Sequence, residues 1–302
     1  MKFIDLFSGI GGFHLAFHEL GAKCVFASEI DKAARQTYKE NFYSLSPDIF
    51  DNGQYNDDIL KINEPSVQIP DFEILCAGFP CQPFSQAGFK KGFQEDRDNR
   101  GNMFFEIATI IEEKKPKAFF LENVRHILNH DNGRTFKIIE DVLCELGYSF
   151  HYKIVKASDH NLPQHRPRVF MVGFRMDSKN LPGFNFPEKD PLKTTMSDIW
   201  GAECEKEIGY TLRVGGRRSG LHDRRNWDTY KVGGEVKVIS PKEGLRMMGF
   251  PHWFNFKVSD TQAMKQLGNS VAVNAVKATG SRIIEYLQEN EHLFEEKNLQ
   301  VA

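Results

Sequence analysis

Cysteine is scarce in this chain, and what there is does not pair. Residues 24, 76, 81, 144 and 204 form an odd set of five, with no Cys-x-x-Cys and no nearby His-x-x-x-His spacing. A disulfide framework and a structural zinc site are therefore not expected, and no metal ligands are assigned. No stretch approaches the roughly 18 uninterrupted apolar residues of a membrane span, and Asp5 breaks the apolar start too early for a signal peptide. The chain is expected in the cytoplasm, away from membranes. Nor is there an excess of one charge: 39 Lys and Arg face 41 Asp and Glu, so the chain as a whole is not a polyanion binder. Repeats at a solenoid or propeller period are absent, as are low-complexity tracts. With only 13 Pro and 24 Gly beside 40% hydrophobic residues, fibrous and disordered classes are out.

What remains is a globular chain of 302 residues, enough for one large domain or a large and a small one. Phe is the abundant aromatic, 26 residues, and such rings are expected to fill the core. The first 175 residues alternate β-rich runs with helical patterns. Strands are predicted at 3–7, 23–28, 74–77, 118–121, 149–155 and 169–174. Helices are predicted at 13–20, from an Asp31 cap to about 41, at 104–114 and at 135–146. This is βαβ alternation, hence an α/β fold with a doubly wound, mostly parallel sheet. After about Gly183 the rhythm gives way to prolines, glycines and charges up to about Lys257, then a helical pattern returns from Thr261 to Leu287. The expected organisation is a large domain of residues 1–182 completed by 258–302, with a small irregular one at 183–257.

Two motifs carry chemistry on their own. Phe7-Ser8-Gly9-Ile10-Gly11-Gly12 follows a strand and opens a helix, where glycines let the backbone approach a ligand, and Glu29 at the next strand's end is placed to hold ribose hydroxyls. Taken alone, the turn could equally be a plain tight turn. Gly78-Phe79-Pro80-Cys81-Gln82-Pro83-Phe84-Ser85 follows another strand, so Cys81 sits where open α/β sheets place ligands; residues 86–100 beyond it are expected to close over a substrate. Cys24, Cys76 and Cys144, on apolar strands or helices, read as buried small hydrophobes.

Along nearly its whole length the chain resembles the cytosine-C5 DNA methyltransferases of bacterial restriction–modification systems, with their motifs in order. Asp5 to Gly12 matches the cofactor loop and Gly78 to Ser85 the Pro-Cys-Gln motif. Arg100-Gly101-Asn102, Glu122-Asn123-Val124, Gln164-His165-Arg166-Pro167-Arg168 and Gly268-Asn269-Ser270-Val271 follow, with Pro241-Lys242-Glu243 and Gly249-Phe250-Pro251 late in the chain. Lys242 and Lys237 stand where such proteins often carry arginine. The resemblance implies a Rossmann-like, class I S-adenosylmethionine-dependent methyltransferase fold with a target-recognition domain. It also implies a DNA (cytosine-5-)-methyltransferase that flips its target base out of a short double-stranded site.

The residues suit that chemistry. C5 of cytosine is too weak a nucleophile to take a methyl group from a sulfonium until a thiolate adds at C6, which requires an activated cysteine such as Cys81. It also requires an acid or donor at N3, a role for Glu122 if burial raises its pKa. Arg166 and Arg168 would hold the Glu and the base carbonyl, the alternative being a structural ion pair. The resemblance places S-adenosylmethionine against Phe7, Gly9, Gly11, Glu29, Ile30, Asp58 (or Asp57), Ile59, Pro80, Asn269 and Val271, and DNA against Gln82 and Ser85.

Residues 211–231 hold six basic residues (Arg213, Arg217, Arg218, Arg224, Arg225 and Lys231) against Asp223 and Asp228, a segregated charge in the region where the family reads DNA. The five arginines are assigned to bases and phosphates, a solvated basic loop being the alternative. Double-stranded DNA is the expected partner, with a cognate restriction endonuclease and a monomeric state. An RNA cytosine methyltransferase and a non-enzymatic DNA-binding module of the same fold are the rivals. The glycine-rich basic insert argues against the first, and the presence of Cys81, Glu122, Arg166 and Arg168 against the second.

Overall fold

The computed structural model describes residues 1–61, 67–80, 103–177, 181–216 and 218–294. Cys81, Gln82, Ser85, the Arg100 motif, Arg217 and the loop expected at 86–100 lie outside the described residues.

The strands are β1 (Lys2–Leu6), β2 (Lys23–Ser28), β3 (Tyr55–Asn56), β4 (Ile74–Gly78), β5 (Ala118–Val124), β6 (His151–Lys156) and β7 (Pro167–Phe174). They form one sheet in the order β3-β2-β1-β4-β5-β7-β6. Strands β1 to β5 pair in parallel, whereas β7 runs antiparallel to β5 and β6. The winding reverses between β1 and β4, so their carboxyl ends diverge and leave a crevice.

Alternation along the strands builds two apolar layers. Phe3, Cys76 and Phe120 face one side with α1 (Gly12–Glu19), α2 (Lys32–Phe42) and a long C-terminal helix, Val273–Glu289. Ile4, Leu75 and Phe119 face the other, with the helices Met103–Lys114 and Arg134–Glu145. Phenylalanines fill these layers as expected: Phe120 meets Phe13 and Phe170 edge-on, with centroids 5.1 and 5.0 Å apart. Asp31 caps α2 by accepting from the Ala33 and Ala34 amides. Cys144 departs from its expected burial. It is exposed, because on that helix Val142 and Leu143 take the inward positions.

Polar residues sit inside the first layer as well, Asp5 and His14 among them. Asp5, fully buried on β1, accepts from the His14 amide at 3.2 Å, and burial raises its carboxyl well above the ordinary range. The His14 ring lies 2.6 Å from the Tyr38 hydroxyl and 3.0 Å from that of Ser46, and burial pushes its pKa down to about 3.

The segment that reads as irregular contains short elements: the helix Met196–Trp200, a hairpin of β8 (Thr229–Val232) and β9 (Glu235–Val238), and the helix Pro241–Met248. Met196, Leu212, Trp227, Tyr230 and Met247 belong to the same apolar cluster as Phe3 and Val276. The helices Asp260–Asn269 and Val273–Glu289 then return to the sheet, the second packing along α1.

Candidate active site

The crevice holds a cavity of about 350 Å³, within the range of small-molecule sites. One wall is the glycine turn after β1. Phe7 adopts a left-handed φ of 55°, and the Ser8 amide donates to the Ser28 carbonyl at 2.9 Å. Glu29, at the end of β2, accepts from the Gly9 amide on one carboxylate oxygen and from the Asp31 amide on the other, each at 2.8 Å. Its carboxylate thus ties the turn to the neighbouring strand, and burial raises its pKa. The Arg35 guanidinium donates to the Glu29, Ile30 and Asp57 carbonyls at 3.1, 3.2 and 3.3 Å, bracing the same rim.

Of the residues assigned to the cofactor, Phe7, Gly9, Glu29, Ile30, Pro80 and Asn269 line the cavity. Ile30 is 70% exposed, an apolar side chain standing free at the rim. The other assigned residues lie behind or beside it. Gly11 has φ 86°, and a Cβ there would come within 2.2 Å of the Phe42 ring, so this glycine makes room for packing. Val271 packs behind the turn, its Cγ2 only 2.6 Å from where a Gly12 Cβ would stand. Asp58 caps its own turn by accepting from the Leu60 amide at 3.0 Å, Asp57 pairs with Lys61 at 3.2 Å, and Ile59 is buried in the second layer.

On the opposite side, β4 and β5 end. Glu122 and the Arg168 guanidinium pair at 3.0 Å with both side chains largely buried. Burial raises the Glu122 pKa, and the charges of Arg168 and Arg166 oppose that rise. Asn123 donates to the Phe79 carbonyl at 2.9 Å and so joins the end of β5 to the segment that leads to Cys81.

Arg166 does something other than hold the Glu. Its guanidinium donates to the carbonyls of Leu212 at 3.3 Å, Gly268 at 2.9 Å, and Ser270. It joins the approach to β7, the basic segment and the returning C-terminal segment. At the same joint, a Cβ on Gly268 would lie 2.6 Å from the Arg213 backbone, so only glycine allows the two segments to touch. Lys265 and Gln266 also line the cavity, and neither is evident from sequence. Lys265 reaches Asp31 at 3.6 Å and Gln266 accepts from the Thr37 hydroxyl at 2.9 Å. The one local signal was their place on the same helix as Gly268. Of the assigned DNA contacts, Arg213, Arg218 and Arg224 are exposed, while Arg225 pairs with Asp223 at 2.8 Å.

A carboxylate for vicinal hydroxyls, an exposed isoleucine for a ring face and open space where a Gly9 side chain would stand fit a nucleoside cofactor with a short polar arm. Sheet order and cavity together define an α/β methyltransferase fold. A solved E. coli prophage protein described as a putative DNA modification methyltransferase shares it at TM-score 0.68 and 19% identity, over 95% of this chain and 99% of that one. A Spodoptera frugiperda DNMT2 mutant does so at 0.67 and 18%, over 97% and 99%.

Sequence comparison narrows the class. Residues 1–218 and 206–285 match the C-5 cytosine-specific DNA methylase family, to which the chain belongs. It is 42% identical to the Type II methyltransferase M.SsoII of Shigella sonnei, over 95% of this chain and 80% of that protein. It is 37% identical to M.HhaI of Haemophilus parahaemolyticus, over 92% of each.

Proposed function

We propose that this DNA cytosine-5-methyltransferase acts on a cytosine flipped out of a short double-stranded site, with Cys81 as nucleophile and Glu122 as the acid at N3. S-adenosylmethionine, when bound, supplies a methyl group made electrophilic by its sulfonium, and Glu29, Ile30 and Phe7 would hold it. The observation that carries the reading is the buried Glu122–Arg168 pair in the same cavity as the Glu29 turn.

The Cys81 thiolate would add to C6, moving electron density to C5 while Glu122 protonates N3. Once C5 carries the methyl group, loss of the C5 proton to solvent, departure of the thiolate from C6 and return of the N3 proton to Glu122 restore the neutral aromatic ring and the enzyme. Burial favours a protonated Glu122, and Arg168 keeps its carboxyl oriented. A base stacked in a duplex cannot reach a nucleophile in this crevice, hence the flip. The Type II names of the relatives fit a modification that would protect DNA from a cognate endonuclease. The enzyme would work as a monomer.

The test is methyl transfer from labelled S-adenosylmethionine to duplex DNA and, side by side, to tRNA. Duplex carrying 5-fluorocytosine at the target should form an adduct that survives denaturation, because fluorine cannot leave as a proton does. Cys81→Ala should abolish both adduct and transfer while DNA binding persists. Substantial methylation by that variant would remove Cys81 from the role, and transfer to tRNA alone would overturn the DNA reading.

A further inference from the structure

Residues 213–216 and 218–225 combine exposed arginines with Gly215, Gly216 and Gly220, a composition that by itself leaves a loop without fixed shape. Three consecutive side chains just beyond it are buried: Asn226, Trp227 and Asp228 are 5, 1 and 0% exposed. Each grips the loop backbone at a different point. The Trp227 indole N–H donates to the Gly215 carbonyl at 2.9 Å. The Asp228 carboxylate accepts from the Arg218 amide at 3.1 and 3.0 Å. The Asn226 amide donates to the Leu221 carbonyl at 3.2 Å, while its oxygen accepts from the Asp228 and Thr229 amides at 3.2 and 2.9 Å.

The grip falls at residues 215, 218 and 221, a regular spacing along the loop. At its centre, Arg218 stands at φ 61°, a region that suits glycine and that an L-residue enters only when its surroundings hold it there. The buried carboxylate does so. Outside, the side chains of Arg213, Arg218 and Arg224 are exposed, and among the described residues none of the three pairs with a carboxylate. The basic groups are thus left free on a backbone that is pinned from within.

We propose that Asn226, Trp227 and Asp228 are positioning residues for site recognition. They hold the arginine-bearing loop in its reading shape before DNA arrives, so discrimination between sequences depends on three side chains too buried to reach a base. Preorganisation of this kind avoids the ordering cost of binding and so appears as affinity and selectivity. The proposal rests on the reading that this loop meets DNA.

Two measurements test it, once bisulfite sequencing of DNA modified by the parent enzyme has given the cognate site. In the DNA-free protein, the Arg218 amide should resist hydrogen exchange. Exchange as fast as in an unstructured peptide would overturn the proposal, whatever any variant does.

The second compares Trp227→Phe, which keeps a buried ring but loses the indole N–H, and Asp228→Asn, which keeps the shape but loses the charge. The Asn oxygen can still accept from the Arg218 amide, so a charged hydrogen bond becomes a weaker neutral one; KM for the cognate duplex should rise and its preference over a single-mismatch duplex should fall by about 5-fold in Asp228→Asn. Trp227→Phe should move both in the same direction by about 3-fold or more, a neutral hydrogen bond being the smaller. Meanwhile kcat and S-adenosylmethionine affinity should stay within about 2-fold, because the loss lies in DNA binding and not in the transition state. Unchanged discrimination in both variants, with only a lowered melting temperature, would make the triplet a plain packing element. Arg213→Ala and Arg224→Ala separate the two readings. If these keep the parent's affinity and salt slope while the clamp variants lose discrimination, the arginines are not the DNA contacts and the clamp stands.

Discussion

The sheet and the basic segment are held together by opposite means. Around β1, β4 and β5, apolar side chains alternate to either face, and rings such as Phe120 lock two layers in place. Between Gly209 and Thr229, the backbone is fixed mainly by side-chain groups that reach back to it: Gln164 accepts from the Leu212 amide at 3.0 Å, the Tyr230 hydroxyl from the Tyr210 amide at 2.9 Å, and Trp227 and Asp228 grip the loop. Burial of area is tolerant of small shifts, whereas a hydrogen bond is not. The first arrangement therefore sets whether the chain folds, and the second sets the shape that one surface takes.

Damage to each half should accordingly read out differently. The largest effect belongs to the end of β5, where Glu122→Gln keeps the shape but removes the titrating proton. The rate should fall by about 10² to 10⁴-fold in single-turnover methylation, with DNA affinity little altered. A fall of less than about 3-fold would make the Glu122–Arg168 pair architectural. Next, Phe120→Ala should cost about 3–5 kcal/mol in denaturant unfolding, since the ring is fully enclosed by Phe13 and Phe170. Its counterpart in the basic segment, Tyr230→Phe, leaves the part-buried Tyr210 amide without its acceptor and should cost about 1 kcal/mol. Equal costs for the two would erase the distinction drawn between the regions.

A pH titration sharpens it further. His14 has a folded pKa of about 3, below the ordinary 6.5, so the unfolded chain takes up a proton that the folded one refuses. Its contribution is fully present above pH 6.5 and declines as pH falls toward 3, by about 1.4 kcal/mol per pH unit. His14→Gln should remove that slope from the stability profile, and an unchanged slope would assign it to another group. An equally small effect is expected at the Asp31 cap, where Asp31→Ala should lower stability by about 1 kcal/mol by thermal unfolding.

The same contrast explains what could be read in advance. The span of β2 at 23–28 was evident because period-2 burial writes itself into the sequence, and the cap at Asp31 because capping is local. β5 runs three residues past its expected end at 121, because Glu122 and Asn123 look like loop residues until the cavity is seen. β3 is two residues long and too short to show a pattern. The order within 209–229 was invisible, since bonds from side chain to distant backbone leave no period. Arg166 and Arg168 look alike in the chain, yet one meets carbonyls of the C-terminal segment and the other a carboxylate, a difference made only by what folds back against them. The place of Lys265 and Gln266 on the cavity wall leaves no mark in the sequence for the same reason.

The cavity wall has a consequence for how the protein is made. Phe7 and Asn269 face the same space, so the cavity draws on residues about 260 positions apart in the chain. During synthesis the glycine turn, Glu29 and β4 emerge first and can assemble the near wall, but the far wall arrives only when the helix Asp260–Asn269 has left the ribosome. While residues 1–259 are being made, the cavity therefore lacks the wall that Lys265, Gln266, Gly268 and Asn269 supply.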